Sequence, residues 1–62
     1  MWELTINGVT KQQFLDTCFQ SIECKRIGTK LRVEYELKKY LLEDINDLKK
    51  EYPNIKYSIT KC

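Results

Sequence analysis

Apolar and polar positions alternate at the start of the chain. Trp2, Leu4 and Ile6 interleave with Glu3, Thr5 and Asn7, the period of a strand with one apolar face. The period then lengthens. Phe14, Leu15, Cys18, Phe19 and Ile22 recur at the spacing of one helical stripe, which predicts a first helix buried through all five. Two strands follow. Glu23 to Ile27 is short, and Lys30 to Lys38 reads KLRVEYELK, with Leu31, Val33, Tyr35 and Leu37 on one face. A second helix is expected from about Lys39 to Tyr52 on a stripe of Leu41, Leu42, Ile45, Leu48 and Tyr52. Pro53 ends it and Asn54 turns the chain. In IKYSITKC, Ile55, Tyr57 and Ile59 point in while Lys56, Ser58 and Thr60 point out, a last strand.

The connections carry their own signals. In NGVTKQQF, Asn7-Gly8 supplies a turn and Thr10 with Gln13 forms the T-x-x-Q capping box. Val9 and Phe14 form the hydrophobic staple across the cap. Gly28-Thr29 fits a two-residue type II′ hairpin. That register sets Cys24 against Val33, but it also sets Lys25 against Arg32 and Glu23 against Glu34, which repel, so a slightly longer loop is the alternative.

The element order is strand, helix, strand, strand, helix, strand. It predicts one small α+β domain over residues 1–62, a ferredoxin-like split β-α-β sandwich with two helices on one face of a four-stranded antiparallel sheet. Right-handed crossovers place the first and third strands in the centre and the second and fourth at the edges. The matched periodicities predict one core of Phe14, Phe19, Leu31, Val33, Tyr35, Leu41, Ile45 and Leu48.

Composition narrows the class. A chain of 62 residues with 32% charged and 42% hydrophobic positions has the balance of a globular domain, near the lower size limit for folding on burial alone. No apolar run approaches a membrane span, and MWELTING has charge where a signal peptide has its apolar core, so a cytoplasmic location is expected. The three cysteines, Cys18, Cys24 and Cys62, are odd in number, lack CxxC spacing and stand in a chain without histidine. They read as two small buried residues and one terminal thiol, with no metal and no disulfide framework.

Several chemistries lack their residues. An RNA-recognition sheet needs outward aromatics on its central strands, where Glu3, Thr5, Arg32, Glu34 and Glu36 stand. A metal-transfer domain needs paired cysteines in the first loop, which reads NGVT, and a metal-dependent nuclease needs a carboxylate where Asn7 stands. With no histidine base and no nucleophile motif, catalysis is not expected, and no cofactor is expected. A net charge of +2 with nine carboxylates argues against nucleic acid.

What remains are surfaces. On the second helix Tyr40, Glu43, Asp44, Asp47 and Glu51 share a flank opposite Lys38, Lys39, Lys49 and Lys50. This acidic strip around a tyrosine is the candidate surface for a basic protein partner. The outer face of the first helix, Gln13, Asp16, Thr17 and Gln20, carries a single charge. Lys56, Ser58 and Thr60 mark a last strand without prolines or bulges, the candidate edge for a homodimer, with Cys62 near the seam. Gly8, Thr10 and Lys11 form a secondary candidate for an anion, although Thr10 and Gln13 are already committed to the cap and the P-loop run is missing. The expected function is therefore a non-enzymatic protein-binding module, an inhibitor or adaptor whose size and composition suit a phage or mobile-element accessory protein. The alternatives are an oligomer that sequesters a phosphate-bearing ligand such as a nucleotide, and a nucleic-acid binder.

Overall fold

A computed structural model describes residues 1–61. The chain runs β1 (Trp2–Asn7), α1 (Lys11–Thr17), β2 (Glu23–Ile27), β3 (Lys30–Tyr35), α2 (Lys38–Glu51) and β4 (Lys56–Lys61). The four strands form one antiparallel sheet in the order β2-β3-β1-β4, so β1 and β3 are central as the sequence predicts. Among the described residues no helix is long and apolar enough to cross a membrane.

Register decides which side chains meet. Leu4 lies between Val33 and Ile59, Ile6 between Leu31 and Tyr57, and Cys24 opposite Val33, so the apolar alternates of all four strands share one face. Both helices pack on that face. Phe14 and Cys18, together with Leu41, Ile45 and Leu48, join Leu4, Ile6, Leu31, Val33 and Tyr35 in a single core.

The two predicted turns form as written. Thr10 Oγ1 accepts from the Gln13 backbone N–H at 3.1 Å, and Gln13 Oε1 accepts from the Thr10 N–H at 2.9 Å. Val9 and Phe14 are both buried beneath this box. Gly8 has φ +110°, and a Cβ there would stand 3.4 Å from the Ile55 Cα, so the corner needs glycine for its conformation and for close approach. At the hairpin Ile27 pairs with Lys30 and only Gly28, at φ +63°, has positive φ. This combination fits the type II′ turn rather than I′ or a longer loop. The repelling pairs are relieved by other contacts: Lys25 bridges Glu23 along its own strand at 3.3 Å, and Arg32 reaches across to Glu3 on β1 at 3.3 Å.

Three expectations fail. β3 stops at Tyr35 instead of Lys38, because the backbone bends at Glu36 and Leu37 to start α2. Leu37 becomes the N-cap residue, makes no side-chain cap bond and is half exposed. α1 stops at Thr17, so Leu15, Phe19 and Ile22 do not enter the core; Phe19 is 82% exposed and Ile22 55%. On α2, Leu42 faces solvent and Asp44 takes the buried place, at 1% exposure.

Candidate functional site

The early end of α1 builds the most distinctive surface feature of the molecule. Thr17, Cys18 and Phe19 are all poor helix formers next to alanine or leucine. Thr17 folds its hydroxyl back onto the Gln13 carbonyl at 3.1 Å. Cys18 then turns to extended backbone (φ −119°, ψ 133°), its N–H still donating to the Phe14 carbonyl at 2.8 Å. From there a short segment leads to Ile22, whose N–H donates to the Glu34 carbonyl at 2.8 Å.

Between those ends the segment is fastened to one residue of α2. The Cys18 thiol donates to the Asp44 backbone carbonyl at 3.5 Å, and Gln20 Nε2 donates to Asp44 Oδ1 at 3.2 Å. The other carboxylate oxygen, Oδ2, accepts from the Tyr35 hydroxyl at 2.8 Å. A buried carboxyl is costly unless its oxygens find donors, and here each has one. Among the described residues no buried side-chain nitrogen or oxygen lacks a partner. Phe19 stands between the two anchored residues and points outward.

The electrostatics follow from this packing. Burial raises the Asp44 carboxyl above its ordinary value, while the Tyr35 and Gln20 hydrogen bonds pull it back and Asp47 raises it further. Burial, with the Asp44 contacts second, drives the Tyr35 hydroxyl upward. The Cys18 thiol is pushed up to about 12 by burial first and by Asp44 and Asp47 after it, so it remains a protonated donor rather than a nucleophile. Burial also raises Cys24, against a lowering influence from Lys11. Both are free thiols, and Cys62 lies outside the described residues. Among the described residues no three Cys, Asp or Glu side chains converge in a group able to hold a metal ion.

The predicted acidic strip is divided by the fold. Glu43, Asp47 and Glu51 are exposed along α2, Tyr40 is half-buried and packs against the core rather than standing free, and Asp44 is internal. The outward placement of Asp44 is the correction that matters. At about 100° per residue, Asp44 lies about 60° from Leu41 around the helix and Leu42 about 100°, so the wheel itself favours Asp44 as the inward residue. Treating every carboxylate as solvent-facing hid that signal. The basic flank is partly engaged: Lys38 sits 4.9 Å over the Trp2 ring and Lys49 5.7 Å over the Tyr57 ring. Neither salt bridge among the described residues involves α2.

The other candidates also have definite places. Lys56, Ser58 and Thr60 are exposed on the outer face of β4, which pairs with β1 on one side only. Gly8 serves the turn and Thr10 the cap. Lys11 lines a surface cleft of about 410 Å³ together with Arg26, Thr29, Val9 and Leu31. Arg26, oriented by its Nε bond to the Gly28 carbonyl at 3.1 Å, was not singled out in the sequence. Its signal was the hairpin register, which sets it beside Cys24 in parity and opposite Leu31.

Compared with protein-family models, curated proteins and solved structures, the chain matches none.

Proposed function

We propose that this chain is a non-enzymatic protein-binding module, an inhibitor or adaptor with a ferredoxin-like βαββαβ fold, that docks through Phe19 and the acidic flank of α2. The strand order β2-β3-β1-β4 supports the fold assignment. One observation carries the function: Phe19 is 82% exposed, yet the residues on either side of it are hydrogen-bonded to a buried carboxylate residue. A lone exposed apolar side chain on a loose loop needs no explanation. An aromatic ring on a fastened loop is different, because little loop entropy remains to be lost on binding. Ile22 and Leu15 are exposed as well, and Asp47 is close enough to Cys18 to raise its thiol. The complementary partner presents an apolar pocket rimmed by Lys or Arg. In a reducing cytoplasm the two described cysteines stay as thiols.

The test is affinity capture with the full chain, identification of the captured protein, and repetition with variants. Phe19→Ala and Asp47→Lys should each lose the captured protein, and Lys11→Ala should retain it. Undiminished capture by Phe19→Ala overturns the reading.

A second reading concerns a second copy of the chain. β4 is a sheet edge without proline or bulge, and Tyr57 and Ile59 on its inner face are incompletely covered. Two such edges pairing antiparallel would give an isologous dimer. Light scattering at micromolar concentration should then show a dimer that Ser58→Pro converts to a folded monomer. The alternative ligand reading rests on the Lys11–Arg26 cleft, whose lining holds two cations and no carboxylate. Titration with inorganic phosphate should move the amide resonances of residues 9–12 and 26–29 if that reading is correct.

A further inference from the structure

We propose that Asp44 is the positioning residue of the docking surface: by holding Cys18 and Gln20 on either side of Phe19, it fixes that ring in its outward pose. The inference rests on the docking role given to Phe19 above and adds the device that maintains it. Three side-chain contacts from two parts of the fold converge on this one residue. The loop reaches it through the Cys18 thiol and the Gln20 amide, and the sheet reaches it through the Tyr35 hydroxyl. Tyr35 is fully buried in β3, so its hydroxyl is a fixed reference point that holds one carboxylate oxygen while the other takes Gln20.

The sequence pattern shows what the clamp works against. Phe14, Leu15, Cys18, Phe19 and Ile22 suit a longer helix with Phe19 turned toward the core. The fold places Phe19 outside, and among the described residues the only side-chain hydrogen bonds joining residues 18–20 to another element are those to Asp44. The titratable groups facing the Asp44 carboxyl are the Tyr35 hydroxyl from β3, the Cys18 thiol from the end of α1, and Asp47 on its own helix. No salt bridge reaches it among the described residues. Its grip on the loop is thus made of neutral donors, and adding a negative charge on the loop should break it.

That prediction separates a positioning role from general support. Backbone ¹⁵N order parameters of the full chain are measured for the parent and for Gln20→Ala, Gln20→Glu and Phe19→Ala. The parent should be rigid at residues 18–22, and Gln20→Ala should drop residues 19–21 below about 0.6 while β1, β3 and the backbone-bonded ends Cys18 and Ile22 keep theirs. In Gln20→Glu two carboxyls meet at about the distance of the present hydrogen bond. They repel when both are ionised and share a proton as the pH falls, so the loop should be loose at high pH and tighten again on acidification. Phe19→Ala should leave the loop rigid. Unchanged order parameters in Gln20→Ala, loosening in Gln20→Glu that persists in acid, or loosening in Phe19→Ala each overturn the clamp. No partner enters this measurement, so failure of the clamp and failure of docking through Phe19 are told apart.

Discussion

At the start of α1, Thr10 and Gln13 close two hydrogen bonds within four residues; at its end, Cys18 and Gln20 take their partners from Asp44, 26 and 24 positions away. The first arrangement is complete in the local sequence, because the capping box needs only a short polar side chain, a glutamine three residues later and an apolar pair around them. The second has no local signature, and it overrides a stripe that continues through Phe19 and Ile22. The comparison teaches where periodicity stops being informative. An apolar residue at the right spacing marks a core face only while the helix lasts, and the segment beyond it can take its partners from another element.

The sharpest test sets two phenylalanines five residues apart against one another. Phe14→Ala removes a fully buried ring at the locally built end and should cost about 3–5 kcal/mol, comparable to the whole stability of so small a domain. Denaturant titration should find it largely unfolded.

Next in size is Tyr35→Phe at the distant end, which leaves one oxygen of the buried Asp44 carboxyl without its donor. A loss of about 1–3 kcal/mol is expected. A neutral result in thermal melting would mean that water replaces the hydroxyl and that the anchor is looser than its geometry.

Asp44 also gives the distant end a pH dependence that the capping box lacks. Its carboxyl titrates above its ordinary value in the fold because burial disfavours the charge. The folded protein therefore holds that proton more tightly than the unfolded chain does. The stability this contributes is fully present below the unfolded-state value and lost as pH rises through the raised folded-state value. Measured as the difference between parent and Asp44→Asn, stability should move in favour of the parent as pH falls from 7 toward 4. The opposite slope would show that the Tyr35 and Gln20 hydrogen bonds outweigh burial.

Thr10→Ala tests the local end without touching the core. Loss of the cap should cost about 1 kcal/mol, read as a small fall in the denaturation midpoint with unchanged slope.

The smallest effect is expected at Phe19→Ala, within about 0.5 kcal/mol of the parent, because the ring is already in water. Melting that fell as far as in Phe14→Ala would place Phe19 back in the core and remove the contrast between the two ends.

Much of the fold was legible because it rests on short-range rules. Alternation set the faces of β1, β3 and β4, Gly28-Thr29 marked the hairpin while leaving a longer loop open, and the two crossovers set β1 and β3 in the centre. Seven of the eight residues expected to form the core are in it, and Phe19 is the exception. The candidate site was less legible. Glu43, Asp47 and Glu51 face solvent as predicted, while Asp44 and Tyr40 do not stand as drawn, and nothing in the sequence singled out Phe19 as exposed.

By itself the sequence determined the secondary elements, the apolar face of each strand and the chemistry of the capped corner, since each depends on neighbours within a turn or a pleat. Only the tertiary structure decided which carboxylate goes inside and which aromatic stays out. Those outcomes hang on one residue of α2 meeting a tyrosine of β3 and the end of α1 at once. A buried carboxyl is tolerated only where donors from separate segments converge on it, and such convergence exists only in the folded chain.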